Sequence, residues 1–229
     1  TLSFAPGCQL RTNNNVNGNG WFEVSGAVRC EDMDADLELN DTIALFYLQN
    51  QGRLELNDSR FAINKGGPYA DRGTRLVSVN DNSTLVLDNT SIVTTTSRGG
   101  YMGRYAIVNY SQTSTILVPG ARGASHLANF VQAAIYSYGL QALAGEPALT
   151  FANNARDLEI RGGYTLRSDL TLPAGIRVEF IPDYGVTTID AGARLTLGDG
   201  TAVDNQNSPT VDPQATLLIK GEMVASQCR

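Results

Sequence analysis

A short unit of alternating leucines and turn residues recurs along the chain, and this repetition constrains the fold more than any other feature. Two leucines precede Asn or Asp and then Ser or Thr in residues 36–42 (DLELNDT), 53–59 (RLELNDS) and 84–90 (TLVLDNT). Alternation places both leucines on one face of a short strand, and the residues that follow favour a turn. Each unit therefore predicts a strand followed by a corner.

The spacing of these units indicates how the strands are stacked. Leu54 and Leu85 are 31 residues apart, another 31 residues lead to Ile116, and Leu37 precedes Leu54 by only 17. Unequal spacing is typical of a solenoid whose coils carry loops of different length. We therefore predict an all-β chain that folds as a parallel β-solenoid, also called a parallel β-helix. A β-sandwich is the alternative, although Asn-Gly hairpin signals between paired strands are few.

The period changes after Ser125. Apolar residues then follow helical spacing up to Gly139, with Ser125 as a candidate N-cap and Gly139 as a candidate end. We therefore predict one amphipathic α-helix inserted in the solenoid, covering an open edge or packing along its flank. The apolar positions are Leu127, Phe130, Val131, Ala134, Ile135 and Tyr138.

The length of 229 residues indicates a single domain. Within that domain the pattern predicts an N-terminal arm or cap, a first strand block, the helical insertion and a second strand block. Their predicted ranges are 1–35, 36–120, 121–150 and 155–225.

Composition narrows the class of protein. Hydrophobic residues make up 42% of the chain and charged residues 17%, which provides a continuous core and argues against disorder. The formal net charge is −6, and Lys and Arg are scattered, so we expect no nucleic-acid partner. No apolar run approaches the roughly 18 residues that a membrane-spanning helix needs, so we expect a chain that does not span a membrane.

Residues 172–176 (LPAGI) and 190–197 (DAGARLTL) carry a resemblance to a known group. They resemble coils of secreted right-handed parallel β-helix proteins, a group that includes pectin-lyase-like folds, autotransporter passenger domains and viral tailspikes. The resemblance implies an elongated body whose faces and loops meet polysaccharides, other subunits or a host surface. It also implies an extracellular, cell-surface or virion-associated location.

Candidates for catalysis are few. His126 is the only histidine, and no nucleophile signature lies near it, so we expect a surface histidine and no catalytic residue. Asp41, Asp58 and Asp88 follow leucine pairs, and stacking is expected to place such corner carboxylates in a column. A column of this kind serves catalysis, calcium binding or turn formation, and the turn role is the expected one. For a lyase, Arg98, Arg104 and Arg122 supply basic residues, and no spacing singles one out.

Asp32, Asp34 and Asp36 are weak candidates for a calcium site, because their alternation resembles the first half of a calcium-binding loop. The turn glycine of such a loop is replaced by Leu37 and its twelfth-position glutamate by Ile43. We therefore expect no helix–loop–helix site and no cofactor, with calcium at a looser surface site as the alternative.

The three cysteines are Cys8, Cys30 and Cys228. A disulfide between Cys8 and Cys30 would fix the N-terminal segment, and three unpaired thiols are the alternative. No Cys-x-x-Cys pair or Cys/His cluster suggests zinc.

Glycosylation sequons occur at five positions, several of them where a strand meets a corner. If the protein is secreted by a cell that glycosylates, these asparagines are expected acceptors. They are Asn40, Asn57, Asn82, Asn89 and Asn109.

Together these patterns predict a non-enzymatic structural solenoid that self-assembles as a homo-oligomer or polymer, or coats a filament, sheath, envelope or virion. Unpaired strand edges support assembly, because they are templates for another chain. A module that binds or cleaves polysaccharide, as a glycan lyase or hydrolase, is the alternative, with Tyr101, Tyr105 and Tyr110 as cleft candidates. An adhesin with a protein receptor is a further alternative.

Overall fold

The computed structural model consists of β-strands joined by corners, and no α-helix occurs among the residues that it describes. Every pairing between described strands is parallel, so the alternative of a β-sandwich is wrong. The described residues are 2–3, 9–12, 20–38, 44–64, 75–95, 103–139, 142–144, 147–152, 156–161, 165–181, 187–205, 210–211, 216–219 and 222–225.

The strands are short and are numbered in chain order. The earlier ones are β1 (Leu2–Ser3), β2 (Gln9–Thr12), β3 (Gly20–Val24), β4 (Ala27–Glu31), β5 (Asp34–Glu38), β6 (Ala44–Leu48), β7 (Arg53–Asn57), β8 (Arg60–Asn64), β9 (Arg75–Val79), β10 (Thr84–Asp88), β11 (Ser91–Thr95), β12 (Ile107–Asn109), β13 (Thr115–Leu117), β14 (Ser125–Ala128) and β15 (Ala133–Ser137). The later ones are β16 (Leu143–Ala144), β17 (Leu149–Ala152), β18 (Arg156–Arg161), β19 (Thr165–Leu166), β20 (Leu170–Leu172), β21 (Arg177–Ile181), β22 (Thr188–Ile189), β23 (Arg194–Leu197), β24 (Ala202–Asn205), β25 (Thr210–Val211), β26 (Thr216–Ile219) and β27 (Glu222–Ala225).

Three consecutive strands form one coil, and equivalent strands of successive coils pair to form the sheets. Sheet 1 runs β1-β4-β7-β10-β13-β16, and sheet 2 runs β2-β5-β8-β11-β14-β17. Sheet 3 has nine strands, which are every third strand from β3 to β27. Sheet 4 contains β19, β22 and β25, and sheet 5 contains β20, β23 and β26. This topology confirms the predicted all-β parallel β-solenoid.

The spacing of 31 residues is the distance from one coil to the next on sheet 1. Leu54, Leu85 and Ile116 lie in register on β7, β10 and β13, and all three are fully buried. The repeat also suggested that Leu37 is equivalent to Leu54 and Leu85. This is wrong, because Leu37 lies on β5 and pairs with Ile63 in sheet 2. Strands of sheet 1 and of sheet 2 have the same alternation of apolar residues, so the motif alone does not show which sheet a strand joins.

The corner between sheets 1 and 2 explains the turn residues of the repeat. Asp32, Asp58 and Asn89 occupy it in successive coils with φ values of 50°, 47° and 53°. Asp and Asn tolerate this left-handed conformation better than other side chains do. The backbone N–H of Asp58 donates to the carbonyl of Asp88, and that of Asn89 donates to the carbonyl of Gly123, so each corner is bonded to the next.

The predicted helix from Ser125 to Gly139 is wrong, because these residues form β14, a corner and β15. Val131, expected on the apolar helix face, is 54% exposed, whereas Ser125 is fully buried and its Oγ accepts a hydrogen bond from the N–H of Thr90. Asn129 turns the chain between the two strands with a φ of 68°. Side chains alternate between the two faces along each of these two strands. Because a short corner joins the strands, the combined spacing of the apolar residues resembles that of an amphipathic helix.

Sheet 3 is continuous, whereas the other faces are interrupted. Sheets 1 and 2 end at β16 and β17, and sheets 4 and 5 begin at β19 and β20. Among the described strands, neither β16 with β19 nor β17 with β20 forms a pair. None of the described segments is a helix of the length and apolarity that crossing a membrane would take.

Candidate functional site

The outward-facing side of sheet 3 carries polar and aromatic side chains in one row, and most of them are buried. Core residues Ile107, Ile135 and Leu158 lie in register and point inward, so the residue that follows each of them faces outward. We call the six positions of this register on β6 to β21 the outer row, namely Tyr47, Ser78, Val108, Tyr136, Glu159 and Glu179.

Four tyrosines form a continuous chain of ring contacts over this row, and we call them the tyrosine patch. The ring centroids of Tyr105 and Tyr136 are 5.3 Å apart, those of Tyr136 and Tyr138 are 5.9 Å apart, and those of Tyr138 and Tyr110 are 5.9 Å apart. The rings are tilted or edge-on to one another, as aromatic pairs prefer. Tyr110 is 43% exposed and presents the patch to solvent.

Two buried glutamates adjoin the tyrosine patch. Glu159 and Glu179 lie opposite each other on β18 and β21, about 4.8 Å apart at the backbone, and are 1% and 5% exposed. The hydroxyl of Tyr105 donates to Glu159 Oε2 at 2.9 Å. Arg156 forms ion pairs with both glutamates. Burial raises the pKa of Tyr105 well above its ordinary value, and the charge of Glu159 raises it further, so the phenol stays protonated and donates.

Arg75 contacts the tyrosine patch at Tyr110. Its Nη1 donates to the Tyr110 hydroxyl at 2.7 Å, and its guanidinium carbon lies 5.0 Å from the Tyr110 ring centroid. Arg75 is only 9% exposed, so the contact combines a hydrogen bond with a shielded cation–π interaction. The position of the Tyr110 ring is therefore fixed.

Within this arrangement, the ring of Tyr110 reaches solvent, whereas the two carboxylates are buried. Tyrosine supplies an apolar ring face together with a hydroxyl that forms hydrogen bonds. A glycosidase needs one carboxyl that is free to give up a proton to the leaving group. Glu159 is bonded to Tyr105 and Arg156, and Glu179 is ion-paired with Arg156. In this geometry both carboxylates are therefore engaged by other side chains of the protein.

A second polar cluster, the corner network, ties successive coils together. It consists of Glu31, Asp58, Asp88, Asn89 and Arg122. Nη1 of Arg122 bonds the carboxylates of Asp58 and Glu31, and the Arg122 backbone N–H donates to Asp88 Oδ1 at 2.9 Å. Asn89 Nδ2 donates to Asp58 Oδ1 at 2.8 Å. Arg122 thus bonds carboxylates of three earlier coils, two through its side chain and one through its backbone N–H.

The charges in the corner network stabilise one another. The hydrogen bond from Asn89, and then that from Arg122, hold the pKa of Asp58 below its ordinary value of 3.8. Asp58 and Glu31 in turn raise the pKa of Arg122. Asp58 and Asp88 do not stack directly on each other, as the expected column of carboxylates required. Asp88 lies opposite Asn57, and Asn89 occupies the corner position above Asp58. Asp41 lies outside the described residues.

The calcium candidates lie at exposed positions near the start of sheet 2. Asp34 and Asp36 project from β5, and Nη1 of Arg60 bonds both at 2.7 Å and 3.2 Å. Asp34 raises the pKa of Arg60 against the opposing effect of burial, and Asp36 contributes further. Asp32 occupies the neighbouring corner. Within the described ranges, no three His, Cys, Asp or Glu side chains are grouped to hold a metal ion, and calcium binding stays a prediction.

The histidine and the basic candidates are dispersed. His126 lies on the outer side of β14, and its Nδ1 is hydrogen-bonded to Thr150 Oγ1 at 2.9 Å. Arg104 is exposed, Arg122 belongs to the corner network, and Arg98 and Tyr101 lie outside the described residues.

The expected modification sites differ in accessibility. Asn82 and Asn89 are exposed at corners, whereas Asn57 and Asn109 are 5% and 0% exposed. Asn109 Nδ2 donates to Ser137 Oγ, so a glycan there would break a buried contact. Glycosylation stays a prediction that the geometry favours at Asn82, since the Nδ2 of Asn89 already donates to Asp58. Asn40 lies outside the described residues.

The predicted disulfide also stays a prediction. Cys30 is completely buried on β4, whereas its expected partner Cys8 lies outside the described residues, as does Cys228.

Sequence reasoning identified Tyr105 and Tyr110 and missed most of their surroundings. Tyr136 and Tyr138 were assigned to a helix, where their alternation carried no meaning, although two tyrosines at i and i+2 share one face of a strand. Glu159 and Glu179 lack any local motif, because only the register of β18 and β21 brings them together.

Comparisons with protein-family models, with curated proteins and with solved structures find no match to the chain. What is established is the fold, a parallel β-solenoid.

Proposed function

We propose that this protein is a non-enzymatic structural β-solenoid, a rigid rod that self-assembles or coats a larger extracellular or particle-surface structure. The single observation that carries the proposal is the corner network, in which Arg122 joins carboxylates of three earlier coils. A solenoid is stabilised mainly between neighbouring coils, so ties across several coils resist bending and local opening.

Sheet 3 supports the same role. Its nine strands run through the described chain without interruption, and its inward residues form one continuous core with those of the other sheets. A rod with such a spine suits a component of a filament, sheath, envelope or virion.

Light scattering after size-exclusion chromatography, combined with negative-stain electron microscopy, tests this proposal. We expect oligomers or filaments whose fraction rises with protein concentration, and small-angle scattering of an elongated particle. A monomer at all concentrations, with no association with cell-surface or particle fractions, would contradict a structural role.

Polysaccharide binding is a second candidate function, and the tyrosine patch favours it. Its four rings lie beside buried carboxylates on the outer surface of sheet 3. A glycan array probed with the wild type and with Tyr110→Ala tests this candidate. The matched control is Val131→Ala, since Val131 is the other large exposed apolar residue in the described ranges.

We expect a glycan signal that Tyr110→Ala reduces and Val131→Ala leaves unchanged, without release of reducing sugar. Release of reducing sugar would indicate cleavage rather than binding, and no signal on any glycan would remove this candidate. The adhesin alternative predicts a protein receptor, and no contact in the described residues favours it over these two.

A further inference from the structure

A cleft of about 390 Å³ opens where sheets 1 and 2 end. Its volume lies in the range of about 300–1,000 Å³ that is usual for small-ligand sites. One wall is strand β17, and the other is the turn between β20 and β21 together with the start of β21. The lining residues are Leu149, Thr150, Phe151, Asp157, Ala174, Gly175, Ile176 and Arg177.

One wall of the cleft is a strand edge. β17 pairs with β14 on one side, and in a regular stack β20 would pair with its other side. Among the described strands no such pair forms, because β20 begins a separate sheet with β23 and β26. An unpaired edge presents backbone N–H and C=O groups that an added strand satisfies.

One core residue, Phe151, is partly exposed in this cleft. Phe151 lies in register with the fully buried Leu127, so its ring points into the solenoid. It is only half-buried, whereas Leu149 and Ile176, which also line the cleft, are 5% and 2% exposed. The exposed part of the Phe151 ring therefore forms a small apolar socket in an otherwise mostly polar cleft, beside the edge of β17 that no described strand pairs with.

The polar groups of the cleft balance in charge. Asp157 accepts hydrogen bonds from the Arg177 backbone N–H at 2.9 Å, from Nε at 3.4 Å and from Nη2 at 2.8 Å. The carboxylate is almost completely buried, and its ion pair with Arg177 leaves no net charge for a ligand to neutralise. Gly175 adds space, since a Cβ at this position would meet no atom within 4 Å.

We propose that this cleft binds an uncharged, extended peptide segment of a partner protein, which pairs with the open edge of β17 and inserts an apolar side chain against Phe151. Backbone pairing supplies the orientation, and the apolar socket selects the side chain, as in other recognition by strand addition. The site is independent of the structural role proposed above, since it needs neither self-assembly nor the corner network.

The probe is a blocked peptide of sequence Thr-Leu-Thr-Leu-Thr, which copies the alternation of β20. Titration into isotopically labelled protein is followed by amide NMR. We expect shifts at residues 149–152 and 175–177, whereas shifts confined to other strands, or none up to millimolar peptide, would overturn the proposal.

Two N-methylated peptides make the test specific to strand pairing. Successive N–H groups of a strand point to opposite sides, so methylation of the leucine amides and methylation of the threonine amides block different edges. We expect one of these peptides to lose binding by about tenfold or more and the other to retain it. Equal binding of both peptides would overturn the proposal.

Phe151→Ala tests the socket, with the exposed Val131→Ala as its control. We expect the first to weaken binding of the unmethylated peptide by about tenfold and the second to leave it unchanged. If Phe151→Ala fails to fold, the two methylated peptides still decide the question with the wild-type protein.

Discussion

Arg122 bonds Glu31 at 2.8 Å although 91 residues separate them in the sequence. The two side chains belong to different coils, and Asp58 belongs to a coil between them. The carboxylates of Glu31 and Asp58 bond the same guanidinium nitrogen, Nη1 of Arg122. Coils are normally joined by strand pairing between immediate neighbours, so a contact that passes over intervening coils adds a separate constraint. Its energy comes from charges at the surface, which makes it sensitive to salt and pH.

Replacement of Arg122 by Ala removes the guanidinium from the corner network. We expect a lower melting temperature in low salt, and a difference from the wild type that shrinks as added salt screens the exposed charges. Thermal unfolding of Arg122→Ala at several salt concentrations measures this effect. Arg122→Lys is the control, because it keeps the charge and is expected to recover part of the loss. A difference that is independent of salt would show that packing, and not charge, is lost.

Protonation of Asp58 is expected to weaken the protein in acid. The pKa of Asp58 is lowered in the folded state, so its contribution is fully present above the unfolded-state pKa of about 3.8. That contribution is lost as the pH falls through the lower, folded-state pKa. Denaturant unfolding of the wild type and of Asp58→Asn at several pH values measures it. We expect the advantage of the wild type to be constant near neutral pH and to diminish below about pH 4. An advantage unchanged at pH 2 would contradict this assignment.

Gly52 is expected to tolerate no side chain. A Cβ at Gly52 would overlap the carbonyl oxygen of Val24 in the preceding coil, and backbone has to shift to relieve the overlap. We expect Gly52→Ala to destabilise the fold by about 1–3 kcal/mol, the usual cost of overpacking, as measured by denaturant unfolding. Gly26→Ala is the matched control, since a Cβ at Gly26 would meet nothing within 4 Å. Equal stability of the two variants would contradict the close approach of the coils.

Leu56 and Leu87 are paired core residues of sheet 1, and both are completely buried. We expect Leu56→Ala to cost about 2–5 kcal/mol, from lost burial and the cavity that remains. We expect Leu56→Asp to prevent folding, because it places a charge in the core. Circular dichroism and denaturant unfolding measure both, with the outward-facing Thr84→Ala as the control. Normal folding of Leu56→Asp would show that the assigned register is wrong.

Tyr105→Phe tests the contact between the tyrosine patch and the buried glutamates. The variant keeps the ring packing against Tyr136 and removes only the hydrogen bond to Glu159. We expect a loss of about 1–3 kcal/mol in the free energy of unfolding, because a buried carboxylate loses a donor. Tyr47→Phe, which changes a tyrosine of the outer row, is the control and should be nearly neutral. A loss of equal size in both variants would indicate a general effect of removing hydroxyls.

Much of the candidate site could not be predicted because it depends on contacts between coils. Tyr105 and Glu159 are 54 residues apart and come together only through the stacking of β15 on β12 and β18 on β15. Loops of unequal length separate the strands, so the sequence does not state which outward residues become neighbours. The same uncertainty made Ser125 to Gly139 resemble a helix, although parallel pairing on both sides holds these residues as strands.

The sequence by itself determined the all-β class, the parallel stacking and the spacing of Leu54, Leu85 and Ile116, because alternation and turn chemistry are local properties. It also placed Asp or Asn at the corners, where these side chains tolerate a left-handed backbone. Only the tertiary structure decided that Arg122 reaches Glu31, that Glu159 is buried and bonded to Tyr105, and that β17 and β20 do not pair among the described strands. These features follow from register between coils, which no single segment of the chain encodes.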